Sequence, residues 1–162
     1  QISKNSQIIM DLSKSGDINI YSLYALELIN EKPKNIIYKI KQSKKKSHFD
    51  TSTPFTWLPI LRDSRKMSKK KYKKYQNLFT QNKTQPHLAF VSERYLKYKK
   101  SYFITPYEKI LKGIKPKRKA LIYALARQES KFIPTSISTS YAMGVMQIMP
   151  FLSKAIALEL KE

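Results

Sequence analysis

Apolar residues in this chain recur at helical spacing, and nowhere does apolar–polar alternation run long enough to argue for a sheet. That periodicity predicts an all-α chain. In residues 1–15, Ile8, Ile9 and Leu12 share one helical face; Gly16 suits the helix end and Asp17 the cap of the next helix. From Ile18 to Ile29 apolar residues cover most of the circumference, which predicts a helix sandwiched between others, stopped by Pro33. Residues 34–46 carry a shorter apolar stripe (Ile36, Ile37, Ile40) and run into the basic stretch "KQSKKKS", expected to be exposed. Thr53-Pro54 reads as a cap with proline in the first turn, and Pro59 should leave that helix short or kinked. Tyr72, Tyr75 and Phe79 fall on one face of a helix within 63–81. From 85 to 102, Leu88, Val91, Tyr95, Tyr98 and Tyr102 follow the spacing of a buried stripe. The first hundred residues therefore read as a stack of helical hairpins without a fixed-period repeat.

Composition narrows the function. The net charge is +21, carried by 27 Lys and only 5 Arg. One reading is an anionic partner; the other is a general lysine bias, with the seven basic residues between Arg65 and Lys74 forming a solvated helix face. Scarce arginine argues against specific nucleic-acid recognition, which leans on its bidentate fork. Cysteine is absent, so disulfides and cysteine-ligated metal are excluded. No apolar run approaches membrane-spanning length and no signal segment is visible. The start at Gln1 leads us to expect a processed product or a fragment.

A junction falls around "YFITPYEKILKG", where Pro106 turns the chain, a short helix should follow and Gly113 should end it. We divide the chain into a helical region, 1–105, and a second region, 106–162. Within the second, "RKALIYALARQES" is apolar nearly all round and should be buried, with Glu129 at its C-terminal end. Burial and the negative end of the helix dipole would both favour the protonated acid, the condition a general acid needs. An exposed helix-end glutamate paired with a lysine is the alternative. Between Lys109 and Leu158 there is no other Asp or Glu. Ordinary glycoside hydrolysis uses two carboxylates, so chemistry with one carboxylate and a substrate-supplied group fits this stretch better. A loop with five Ser/Thr between Ile133 and Met143 then leads into "AMGVMQIMP". There Gly144 permits a positive φ, Met146 and Met149 can line an apolar groove, and Gln147 offers an amide to sugar hydroxyls and acetamido groups. A turn followed by a helix with core methionines is the plainer alternative.

The two blocks together, Glu129-Ser130 with Phe132 and Pro134, then Gly144 to Pro150, resemble the soluble lytic transglycosylase (SLT, lysozyme-like) family of peptidoglycan lyases. The stretch "SYFITPYEKIL" resembles the lead-in to this domain in long periplasmic members, whose upstream part is a superhelix of helical hairpins. The resemblance implies an all-α fold: a superhelical segment followed by the first part of a lysozyme-like catalytic domain. It implies periplasmic action on peptidoglycan glycan strands, with cell-wall synthesis or remodelling proteins as candidate partners and no cofactor or metal. By it, Glu129 would first protonate the bond oxygen between N-acetylmuramic acid and N-acetylglucosamine. The ionised Glu129 would then take the proton of the sugar's 6-hydroxyl as the 1,6-anhydro ring closes. The resemblance gives Ser130 the task of orienting the reacting groups and places Gly144, Met146 and Gln147 along the saccharide groove.

Two departures stand out. Tyr141 occupies a position where the family commonly has glycine. The family's third motif, whose tyrosine supports the catalytic glutamate, is missing from this sequence, so an incomplete catalytic domain with a more exposed Glu129 is expected. A goose-type lysozyme-like hydrolase and a basic helical binding module for anionic polymers remain open at this point.

Overall fold

The computed structural model describes residues 4–41 and 48–160. The basic run expected to be exposed lies, over 42–47, outside the described residues. Among the described residues are seven α-helices and two strands of two residues each.

Helix α1 (Lys4–Lys14) packs on α2 (Ile20–Leu28) as an antiparallel-type hairpin through Gly16, whose φ of +74 reverses the chain. The cap of α2 is Asn19, not Asp17. Asn19 Oδ1 accepts from the Tyr21 and Ser22 amides at 2.9 and 3.0 Å, and the Asn19 amide donates to Ser22 Oγ at 3.2 Å. The expectation that α2 lies sandwiched is also corrected. Only Ser22, Ala25 and Leu26 are buried, while Ile20, Tyr21, Tyr24 and Leu28 face solvent. An apolar circumference is necessary for a sandwiched helix, but a second neighbour must also be present, and here α1 covers one side.

Within the expected stripe at 34–46, the described residues 34–41 are not helical. Ile36–Ile37 form β1, which pairs in parallel with β2 (Ser101–Tyr102). The Ser101 amide donates to Asn35 O and the Phe103 amide to Ile37 O, each at 2.9 Å. Two-residue strands are too short for any alternation to show in sequence.

Helix α3 (Pro54–Asp63) starts as expected, with Thr53 capping and Pro54 in the first turn. It stays helical through Pro59 for ten residues. Helix α4 (Lys69–Leu78) buries Tyr75 and leads into buried Phe79, leaving its lysines exposed. Helix α5 (Gln85–Tyr95) stops earlier than the tyrosine stripe suggested. Lys97 and Tyr98 turn left-handed (φ 50 and 59), and the Tyr98 amide closes on Glu93 O at 2.8 Å. Tyr95 therefore stacks on Tyr72 with centroids 4.1 Å apart, whereas Tyr98 is exposed. Residues 106–113 form successive turns instead of the expected short helix, closed by Gly113 at φ +85.

Two apolar cores flank α5. One joins Phe49, Trp57, Ile60, Tyr75, Phe79 and Val91 with Ile133, which belongs to the loop after helix α6 (Pro116–Ser130). The other joins Ala89 and Ile104 to Ala126 and Phe132. Consecutive residues Phe132 and Ile133 thus enter different cores and pin the end of α6 to the upstream helices.

His87 lies in the first core, fully buried, in edge contact with the Phe49 and Trp57 rings. Desolvation holds its imidazole down at about 4, against an ordinary value of 6.5. The unfolded chain binds this proton first as pH falls, so stability is full above 6.5, declines through that window and levels off below about 4. We expect a loss on the order of 3 kcal/mol from this group. Urea melts at pH 7 and pH 4 should show it, and His87→Phe should flatten the difference; an unchanged pH dependence in His87→Phe would refute the assignment.

Candidate active site

Helix α6 is built from strong helix formers, with Pro116 in its first turn and Lys131 as a left-handed cap at φ 54. Phe132 follows at φ 65, and Pro134 prevents the helix from resuming. Contrary to expectation, α6 is not buried all round. Only Ala126 and Ser130 are buried, and Leu121 and Leu125 face solvent. The described residues cover α6 on the side of the second core alone.

Glu129 is accordingly exposed, not dry. Its carboxylate has no hydrogen-bond or ion-pair partner among the described residues. It lines a cleft of about 200 Å³. One wall is the end of α6 with Ser130 and Lys131; the other is α5 and its exit, with Phe90, Glu93, Arg94 and Tyr98.

The two sequence blocks meet in space. Ser130 Oγ donates to Val145 O at 2.7 Å, tying the helix end to the Gly144–Gln147 turn. That turn is framed by bridges of Met143 with Ile137 and Ile148. Gly144 takes φ +77, and its amide donates to Ser136 O at 2.9 Å. A Cβ there would meet nothing nearer than Pro134 O at 3.9 Å, so the backbone angle, not space, calls for glycine. Gln147 Nε2 donates to Gly144 O at 2.8 Å and Ser136 O at 3.2 Å, closing the turn on itself. Met146 is partly exposed on the turn, and helix α7 (Pro150–Glu159) follows it. Tyr107 Oη donates to Phe132 O at 3.1 Å and steadies the segment after Glu129.

Tyr141 adopts φ 64 with its ring exposed, the left-handed conformation that glycine takes without strain. The backbone here is therefore glycine-like although the residue is not. Tyr141→Gly should remove that strain, partly offset by greater freedom of the unfolded chain, and raise stability by about 0.5–1 kcal/mol. Chemical denaturation reads the change; a loss of stability would show that the tyrosine ring contributes more than its backbone angle takes away.

Sequence reasoning missed the α5 side of the site. Glu93 is 3% exposed. Its Oε1 accepts from Arg127 at 2.7 Å and from the Tyr102 amide at 2.8 Å, and its Oε2 lies 3.9 Å from Lys131 Nζ. Arg127 also donates to Tyr102 O at 3.3 Å and stacks over Phe103 at 4.3 Å. Arg94 bonds Ser64 Oγ at 3.2 Å and stacks over Phe90 at 4.5 Å. Burial, and then the Arg127 charge, pull the Lys131 ammonium below its ordinary value, with Glu93 opposing them. The one available signal was the rarity of acids, 11 Asp plus Glu in the whole chain, which makes one on a core-forming helix unusual.

The mostly helical chain thus closes α6 on an unpaired, exposed carboxylate and folds a glycine turn back on that helix end. Residues 111–162 match the family model of the Transglycosylase SLT domain. The C-terminal part of the chain is thus similar to the SLT domain, a family whose activity is lytic-transglycosylase-type cleavage of peptidoglycan. A search of curated proteins returns no match. Among the described residues no helix is long and apolar enough to cross a membrane.

Proposed function

We propose that this protein is a peptidoglycan lytic transglycosylase that cleaves the β-1,4 bond between N-acetylmuramic acid and N-acetylglucosamine and leaves 1,6-anhydro ends. Glu129 gives a proton to the bridging oxygen as the glycosidic bond breaks. The muramic acetamido group stabilises the cationic carbon. Glu129, now ionised, accepts the proton of the 6-hydroxyl, whose oxygen closes the anhydro ring. The proton count returns to its start and no water enters. Ser130 holds the helix end against the Gly144 turn, and Met146 and Gln147 border the groove for the sugar chain. We place this action in the periplasm, where the positive surface suits anionic wall polymers.

One observation carries the reading. The cleft contains two carboxylates, and only Glu129 is exposed and unpaired; Glu93 is buried against Arg127 and the Tyr102 amide. A carboxylate so engaged is poorly placed to activate water, which favours ring closure by the substrate over the goose-type hydrolytic alternative. Digestion of purified peptidoglycan followed by mass analysis of the muropeptides tests it. Products lighter by one water at the muramic end are expected. Hydrated reducing ends would transfer the protein to the hydrolase reading.

A further inference from the structure

We propose that Glu93 is a positioning residue for this active site, acting from the upstream helical region: it pairs with Arg127 and with Lys131, and keeps Lys131, the cation that shares the cleft with Glu129, off its carboxylate. The inference rests on the function proposed above for Glu129.

Arg127 and Lys131 stand two residues before and two after Glu129, and both reach back to Glu93, at 2.7 and 3.9 Å. Glu93 lies on α5, 34 positions before Arg127. Its burial demands pairing, since an isolated buried charge is strongly unfavourable. The pairing has a second effect. The charged and titratable groups around Glu129 are Glu93, Arg94 and Tyr98 across the cleft and Lys131 beside it, whereas Arg127, two positions back and so on another side of α6, lines a different cavity. Arg94 is held by Ser64 and the Phe90 ring, and Arg127 by Glu93, Tyr102 O and the Phe103 ring. Lys131 is the cation held most loosely, with the long Glu93 contact as its ion pair. Without the Glu93 charge, Lys131 is free to turn to Glu129. A cation at that range favours the ionised carboxylate and withdraws the proton that the first step requires.

The test is the pH–rate profile of anhydro-muropeptide release by the full chain. In Glu93→Gln, which keeps an acceptor for the Tyr102 amide, the alkaline limb should move about one unit towards acid. KM should change less than about twofold, because the defect lies in the proton and not in glycan contact. Adding Lys131→Gln to Glu93→Gln should return the limb, while Lys131→Gln alone should leave it in place. Should Glu93→Gln fail to fold, Glu93→Asp, which withdraws the charge by one methylene, should show a smaller move in the same direction. A folded Glu93 variant with lowered melting temperature but an unmoved limb would reduce Glu93 to a structural pair and overturn the proposal, leaving the Glu129 assignment intact. Wild-type protein that yields no anhydro ends would overturn both, and the wild-type digest alone separates the two failures.

Discussion

Glu129→Gln should reduce anhydro-muropeptide release by at least about 100-fold, the lower bound for losing a general acid–base group, and leave the fold intact. Glutamine has the same shape but no proton to give at the first step and no carboxylate to receive one at the second. The fold should tolerate it because Glu129 is exposed and pairs with none of the described residues, so the change leaves no buried charge stranded. Substitutions of that kind normally stay within about 0.5 kcal/mol. The release rate and the melting curve must be read together. Full activity in a folded Gln variant would remove Glu129 from the mechanism, while an unfolded variant would contradict its exposed position.

Ile133→Ala should lower stability by about 2–5 kcal/mol, the range for truncating a buried aliphatic side chain to alanine. Ile133 is 1% exposed and packs into the core of Phe49, Trp57, Ile60, Tyr75, Phe79 and Val91. Its place in the chain gives the loss a functional side. It follows Glu129 by four positions, and Phe132 beside it enters the other core. Emptying the Ile133 site loosens the anchor of the α6 end, so activity should fall at temperatures where the protein is still folded. Urea unfolding with an unchanged slope would report the stability change alone. Ile133→Val should lose only about 0.5–1.5 kcal/mol. A surface-like response to Ile133→Ala would mean that the loop after α6 does not seat in the upstream core.

How far the sequence could be read depended on the reach of each interaction. Thr53 with Pro54 announced the start of α3, because a cap and the turn it closes lie within four residues. Gly144 announced a left-handed turn for the same reason. The extent of α5 was misread because the left-handed pair Lys97–Tyr98 interrupts a side-chain spacing that by itself could have continued to Tyr102. The burial of α2 and α6 was overread because a hydrophobic circumference says what a helix could bury, not how many neighbours it has.

By itself the sequence determined a mostly helical chain, several of its turns and caps, and the two-block pattern that marks Glu129 and the Gly144 turn. Backbone hydrogen bonding, capping and helical spacing act over a few residues, so those features are written locally. Only the tertiary structure decided that Glu129 has no partner among the described residues, that Glu93 holds Arg127 and Lys131, and that Ile133 closes a core made by helices far upstream. Burial and charge pairing depend on which surfaces meet, and residues separated by tens of positions acquire those neighbours only when the chain folds.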